Sequence, residues 1–175
     1  MIILQLVFLI LLLVVLGSVA FATVSAAPWV PLPKKDVRRM VAHANIKPGE
    51  TVYDLGCGDG RVLIEVARTM NVRAIGFEIS ILMYIVALLR VYVSGQSKNI
   101  KIRFKNFYKT DFKEADVILC FLTPHAMRNL KTKVESELKF GARFLSYVFP
   151  INGIKPKEIF KERETDATIY LYSTE

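Results

Sequence analysis

Hydrophobic residues from residue 34 onward follow two alternating spacings, one typical of helices and one typical of strands. Apolar residues recur three or four positions apart in the predicted helices, which cover residues 34–44, a stretch after Gly60, residues 79–93 and residues 124–138. Short apolar runs bounded by turn residues predict strands at residues 51–55, 72–77, 100–105, 115–122, 142–149 and 168–172. Because strands and helices alternate, we expect an α/β fold with a mostly parallel sheet and helices on both faces.

The third predicted strand, residues 100–105, is expected near an edge of this sheet. Its even positions are apolar and its odd positions are basic, as in a half-exposed strand. The connection at residues 106–114 is too short for a full crossover helix and predicts an extended or single-turn link. The helix at residues 79–93 carries Arg90 as its only charge, so we expect it to pack in the core, or alternatively to share a surface with a membrane.

The chain carries no charged side chain before Lys34. Residues 6–16 lack any polar residue, and the whole apolar stretch provides the roughly 20 residues that a helix needs to cross a bilayer. We therefore expect a transmembrane helix at residues 1–27 that anchors the chain in lipid. A cleavable signal peptide is the alternative, because residues 24–26 resemble a small-residue cleavage site, although no basic residue precedes the apolar core.

Proline-rich residues 28–33 predict a short extended linker, in which Trp29 is expected at the membrane interface. Four basic residues follow closely: Lys34, Lys35, Arg38 and Arg39. By the positive-inside rule they predict a single-pass membrane protein whose main domain, residues 34–175, faces the cytoplasm. The same residues either contact anionic head groups or form a solvated helix face.

Composition narrows the class of protein. The chain is 53% hydrophobic with a formal charge of +8 and contains two cysteines, Cys57 and Cys120, so a disordered chain and a disulfide scaffold are excluded. So few cysteines suggest a reducing compartment. No surface of interleaved basic and aromatic residues is evident, so nucleic acid is not expected as a partner. Most of the excess positive charge is assigned to membrane topology and to the basic strand.

The chemistry-bearing motif is a glycine loop that follows the first strand. Gly56, Gly58 and Gly60 alternate with other residues, which lets the backbone turn sharply and approach a ligand. The next residues, Arg61 and Val62, are not the Lys and Ser or Thr of a phosphate-binding loop. The spacing also differs from the G-x-G-x-x-G of dinucleotide sites.

Residues 52–61 (VYDLGCGDGR), together with Glu78 at the end of the second strand, resemble the first motifs of class I S-adenosylmethionine-dependent methyltransferases. The resemblance implies a Rossmann-like sheet with S-adenosyl-L-methionine as cofactor. It implies that the glycine loop binds the methionine portion of the cofactor and that Glu78 binds the ribose hydroxyls.

A narrower resemblance covers most of residues 28–175. The stretches PWVPLP, GFEIS, FLTP and FP, at residues 28–33, 76–80, 121–124 and 149–150, are similar to the lysine methyltransferases of the ATP synthase c subunit and the adenine nucleotide translocase, with their prokaryotic relatives. This implies a protein lysine in or near a membrane as the methyl acceptor.

The resemblance also implies the site residues. The expected cofactor-binding residues are Asp54, Gly56, Cys57, Gly58, Glu78, Asn106 and Leu122, and the expected catalytic residues are Thr123, Pro124 and Tyr147. Asn106 stands where relatives usually have an Asp that contacts the adenine. Cys57 is expected to be a small space-filling residue rather than a nucleophile. Tyr147 and Phe149 line an aromatic slot for lysine or, as strand residues, belong to the core.

Methyl transfer needs positioning more than a nucleophilic side chain, and no catalytic triad or metal-ligand cluster is visible, so we expect a metal-free enzyme. His125 is interpreted as a surface or helix-start residue rather than a base. Two alternatives stay open: a methyltransferase for a lipid or quinone-like small molecule collected at the membrane, and a non-catalytic cofactor-binding module.

Overall fold

The structure is a computed structural model that describes residues 1–25 and 29–174. Its α-helices are α1 (Ile2–Ser25), α2 (Lys34–His43), α3 (Arg61–Thr69), α4 (Ile81–Val93) and α5 (Pro124–Glu137). Its strands are β1 (Thr51–Leu55), β2 (Arg73–Glu78), β3 (Ile100–Phe104), β4 (Val117–Cys120), β5 (Arg143–Tyr147), β6 (Glu158–Phe160) and β7 (Ile169–Ser173). A single 3-10 turn, Phe107–Lys109, links β3 to β4, as predicted for that short connection.

The described strands form one seven-stranded sheet in the order β3-β2-β1-β4-β5-β7-β6. The strands from β3 to β5 are parallel, whereas β7 runs antiparallel to β5 and to β6. The predicted α/β fold with a mostly parallel sheet is therefore confirmed. Because β1 lies between β2 and β4, the carboxyl ends of these three strands meet at one edge, where ligands bind in open α/β sheets.

Apolar side chains pack on both faces of the sheet. On one face, α2 and α3 contribute the helical positions that the sequence pattern indicated, among them Met40 and Leu63. On the other face, α5 packs Met127 and Leu130 against the sheet together with Phe112 from the β3–β4 connection. The two layers hold the strands, and therefore the loops at their carboxyl ends, in fixed positions.

A helix forms near the N-terminus, but the predicted membrane span is not found. Within residues 1–25 and 29–174, no helix combines the length and apolar character that a bilayer crossing requires. The predicted localisation, a single-pass membrane protein with its domain facing the cytoplasm, is therefore wrong. The predicted end of the anchor and the start of the linker fall on residues 26–28, which lie outside the described residues.

Among the elements that differ from their predictions are α4, β5 and β6. Helix α4 begins at Ile81, because the Ser80 hydroxyl accepts a hydrogen bond from the Met83 N–H and caps the helix. Only Ala87 and Val91 are buried among the described residues of α4, so the expected packing of this helix in the core is wrong. Strand β5 ends at Tyr147, before the predicted limit. The short strand β6 has no counterpart in the prediction.

Candidate active site

A cavity of about 500 Å³ opens at the carboxyl ends of β1, β2 and β4. Its walls include eight of the ten residues predicted for the site: Asp54, Gly56, Cys57, Gly58, Glu78, Asn106, Leu122 and Thr123. The other two, Pro124 and Tyr147, do not line it. The structure thus brings together residues from four separate segments, in the way that the parallel sheet requires.

The glycine loop takes a backbone conformation that side chains disfavour. Gly56, Gly58 and Gly60 have φ angles of 72°, 53° and 75°, all in the left-handed region. The amides of Gly56 and Cys57 donate to the Phe77 carbonyl at 2.9 and 3.0 Å, which fixes the start of the loop against β2. A Cβ on Gly58 would lie 2.7 Å from the Trp29 ring, so the loop also needs glycine there for space.

Glu78 holds the loop from the end of β2. One carboxylate oxygen accepts the amides of Ile79 and Ser80, both at 2.7 Å, and the other accepts the Gly58 amide at 2.9 Å. Burial raises the pKa of the Glu78 carboxyl, although these three backbone hydrogen bonds oppose the rise. Glu78 therefore shapes the glycine loop in addition to lining the cavity.

Asp54 places a carboxylate at the cavity with incomplete hydrogen bonding. The residue is only 4% exposed, and its Oδ2 atom has no hydrogen-bond partner among residues 1–25 and 29–174. Burial, followed by the nearby charges of Glu78 and Asp59, raises the pKa of Asp54 to about 8. An unpartnered buried carboxylate beside a cavity is suited to a cationic ligand, which would neutralise it.

An arginine network behind the glycine loop was not predicted from the sequence. Arg61 donates to both carboxylate oxygens of Asp59, at 2.9 Å from Nε and 2.7 Å from Nη2, and Arg90 of α4 pairs with the same carboxylate. Asp59 is buried, which would raise its pKa, but the hydrogen bonds from Arg61 and the charge of Arg90 lower it instead. Arg61 also donates to the Leu32 carbonyl at 2.6 Å.

Residues 29–32, here called the strap, form one wall of the cavity. The Trp29 ring packs against Gly58, and Arg61 holds the Leu32 carbonyl at the other end of the strap. Trp29 was expected at a membrane interface, and the structure places it on the glycine loop instead. The PWVPLP stretch was the available signal, but its role in the cavity depends on a long-range contact.

The opposite wall follows β3 and β4. The Asn106 side chain accepts the Tyr108 amide at 3.0 Å and begins the 3-10 turn, while Leu122 would lie 3.0 Å from a Cβ on Gly56. The Thr123 hydroxyl accepts the Ala126 amide at 3.3 Å and caps α5, in which Pro124 occupies the first turn. Thr123 and Pro124 are therefore helix-start residues, and Thr123 alone of the two reaches the cavity.

Tyr147 belongs to the core beside the cavity. Burial raises its pKa to about 12, with the charge of Asp36 acting in the same direction, and its ring meets Phe121 edge-on with centroids 5.0 Å apart. Val148 then takes a φ of 71°, which is rare for a β-branched residue, and Phe149 turns back to line the cavity. Of the two predicted slot residues, only Phe149 faces the ligand space.

Cys57 and His125, the two reactive residues that the sequence raised, are not placed for covalent chemistry. Cys57 is buried against Gly76, and burial raises the pKa of its thiol well above the usual value, as expected for a space-filling residue. His125 is exposed on α5, close to Arg128 and Asn129, and it does not line the cavity.

Solved methyltransferase structures share this architecture. An RNA methyltransferase from Salinibacter ruber in complex with S-adenosyl-L-homocysteine matches with a TM-score of 0.79 and 29% identity, over 83% of this chain and 94% of its own. A SAM-dependent methyltransferase from Geobacter sulfurreducens, with the same ligand, shares the fold with a TM-score of 0.60 at 20% identity, over 77% and 53% of the two chains. Fold and site together define an S-adenosylmethionine-dependent methyltransferase, and the predicted cofactor is confirmed.

Sequence comparison identifies the methyltransferase family to which the chain belongs. A model described as the ANTKMT methyltransferase domain matches residues 54–158, and the chain belongs to this family. A protein-lysine N-methyltransferase from Saccharolobus islandicus (strain REY15A) is 41% identical, over 83% of this chain and 92% of that protein. The mouse adenine nucleotide translocase lysine N-methyltransferase is 27% identical, over 77% of this chain and 58% of that protein. The chain thus spans little more than half of that mammalian relative, and the predicted resemblance is confirmed.

Proposed function

We propose that this chain transfers a methyl group from S-adenosylmethionine to the side-chain nitrogen of a lysine in a protein. The observation that carries the proposal is the 41% identity to an archaeal protein-lysine N-methyltransferase, which extends over nearly the whole of that protein. The described cavity supports it, because it combines a glycine loop, two buried carboxylates and an apolar wall.

The residues of the cavity fit the cofactor. The unpartnered Oδ2 of Asp54 is suited to the ammonium of the methionine portion, and the absence of Cβ atoms in the glycine loop lets the backbone approach that portion closely. A carboxylate has about four acceptor positions, of which Glu78 uses three for backbone amides. The remaining position is assigned to a ribose hydroxyl, and Asn106 is assigned to the adenine edge.

The cofactor supplies, when bound, a methyl group on a positively charged sulfur. The chain positions the two reactants and makes their surroundings apolar. Phe121, Leu122 and Phe149 give the cavity an apolar wall, which excludes water and lowers the pKa of an amine that enters it, so that the neutral nucleophile forms more readily. We place the acceptor beside Thr123, where β4 ends, and Pro124 acts by starting α5 at the correct angle.

The proposed methyltransferase domain begins earlier than residue 34. The strap lines the cavity and is held by Arg61, so the functional unit includes residues 29–33 in addition to the domain predicted from residue 34 onward. Of the linker assigned to residues 28–33, residues 29–32 line the cavity.

Incubation with cofactor labelled in the methyl group tests the proposal. The chain is mixed with a protein extract from its source, and the product is treated separately with protease and with ribonuclease. Label that is released as methyl-lysine after acid hydrolysis supports the proposal, and Glu78→Ala should abolish it. Label that is lost to ribonuclease, or extracted into organic solvent, would overturn the lysine acceptor in favour of RNA or a lipid-like molecule.

A further inference from the structure

Strand β3 and the residue that follows it present three basic side chains at the edge of the sheet. Lys101, Arg103 and Lys105 alternate with apolar residues, so they lie on one face of the strand, and all three are exposed. We call these three residues the basic edge. β3 pairs with β2 on one side only, and it ends the sheet there among the described strands.

Among the described residues, the basic edge places three basic residues without acidic partners side by side, in contrast to the paired arginines elsewhere in the protein. Arg39, Arg61 and Arg143 each form ion pairs with carboxylates at contact distance. Across the part of the chain that the structure describes, no carboxylate lies within ion-pair distance of a basic-edge side chain. Three neighbouring cations without counter-charges attract an anionic partner.

The backbone and a groove beside the basic edge match an extended peptide. The Asn99 carbonyl and the Lys105 amide bond to β2, so the alternating pattern turns the amides of Ile102 and Phe104 outward, where another strand can pair. A groove of about 500 Å³ lies between β3 and α4, with Leu88 and Val91 among its apolar walls. Backbone pairing and an apolar groove favour a protein segment over RNA.

We propose that the basic edge binds an acidic, extended segment of the protein substrate. This inference extends the proposed function and rests on it. The acceptor lysine is placed at the end of β4, three strands away from β3. At about 4.8 Å per strand this distance is about 14 Å, which about five residues of extended chain can span. The acidic segment is therefore expected about five residues or more from the target lysine.

Two synthetic peptides test this inference. Both carry a single lysine, with a short block of glutamates in one and glutamines in the other, about six residues from the lysine. Replacing Lys101, Arg103 and Lys105 together with Glu should lower kcat/KM for the glutamate peptide about tenfold or more, and leave the glutamine peptide unchanged. If the basic edge serves only to prevent strand pairing, the reversed charges would protect equally well and the two peptides would respond alike, which would overturn the inference.

A matched control separates local from net charge. Lys47, Arg68 and Lys161 are also exposed, and their joint replacement with Glu changes the net charge equally. An equal loss of kcat/KM with this control variant would overturn the inference. A second result would also overturn it: the wild type binds a uridine-rich RNA tightly but not the glutamate peptide, and the basic-edge replacements abolish the RNA binding. Fluorescence anisotropy with the labelled glutamate peptide measures binding without methyl transfer. Absence of methylation on all peptides and proteins would contradict the proposed function. The binding measurement addresses the basic edge separately, because loss of glutamate-peptide binding in the basic-edge variant supports the inference and unchanged binding overturns it.

Discussion

Replacing Asp54 with Asn is expected to stabilise the cofactor-free protein, by an amount that grows with pH. The pKa of Asp54 is raised to about 8 in the folded chain, chiefly by burial, against an ordinary value of 3.8. The folded state therefore holds a proton that the unfolded state releases above about pH 4. Because the folded pKa is the higher one, the stability contributed by protonated Asp54 is complete at low pH and is lost as the pH rises towards 8.

The size of the effect follows from the difference between these pKa values. Each pKa unit corresponds to about 1.4 kcal/mol, so full ionisation of Asp54 sets an upper limit of about 6 kcal/mol on the destabilisation. The substituted amide would not titrate. The free energy of unfolding of Asp54→Asn minus that of the wild type should therefore rise by up to about 1.4 kcal/mol per pH unit between about pH 4 and 8 and level off above that.

Urea denaturation at a series of pH values measures this difference, and the slope rather than the absolute value is the test. Asp111→Asn, at an exposed aspartate outside the cavity lining, controls for the loss of one carboxylate. In the same Asp54→Asn protein, the cofactor Kd should rise about 100-fold, because a charge-assisted contact worth about 2 to 3 kcal/mol is lost. A stability difference that stays constant from about pH 5 to 8 would refute the raised pKa and the reasoning built on it.

Replacements at Arg61, Gly58 and Tyr147 test the site and the core beside it. Arg61→Ala should raise the cofactor Kd about tenfold in calorimetry, because the strap and the loop lose a shared donor worth about 1.5 kcal/mol, and an unchanged Kd would show that the strap needs no such support. Gly58→Ala should lower stability by about 1–2 kcal/mol from the left-handed backbone alone and should weaken cofactor binding. Adding Trp29→Ala should restore part of the stability, and no restoration would place the whole cost in the backbone. Tyr147→Phe should leave kcat unchanged, because Tyr147 belongs to the core and does not line the cavity, whereas a tenfold fall in kcat would support the catalytic role first predicted for Tyr147.

The predicted site residues that line the cavity depend on short-range pattern. The glycine loop and Glu78 stand at the ends of consecutive strands. Parallel pairing of β1 with β2 brings those ends together without a contribution from distant segments. The spacing of apolar residues likewise indicated the helices and the main strands. Such features need only local geometry and the general rules of α/β folds.

The features that the prediction missed depend on contacts between distant segments. The partner of Asp59, Arg90, lies 31 positions along the chain, and Trp29 reaches Gly58 only because the strap folds back over the loop. Strand β6 is three residues long and exists through its pairing with β7, so no internal periodicity marks it. At Val148 a β-branched residue takes a left-handed conformation that its residue type disfavours, which ends β5 early.

The strap also has a thermodynamic consequence for the first helix. Residues 29–32 both line the cavity and continue the polypeptide from α1, so a protein that binds α1 and shifts the strap would change the affinity for the cofactor. Binding free energies are reciprocal, and the cofactor would then change the affinity of that protein for α1 by the same factor. A partner of this kind would therefore be held more or less tightly according to the supply of methyl donor.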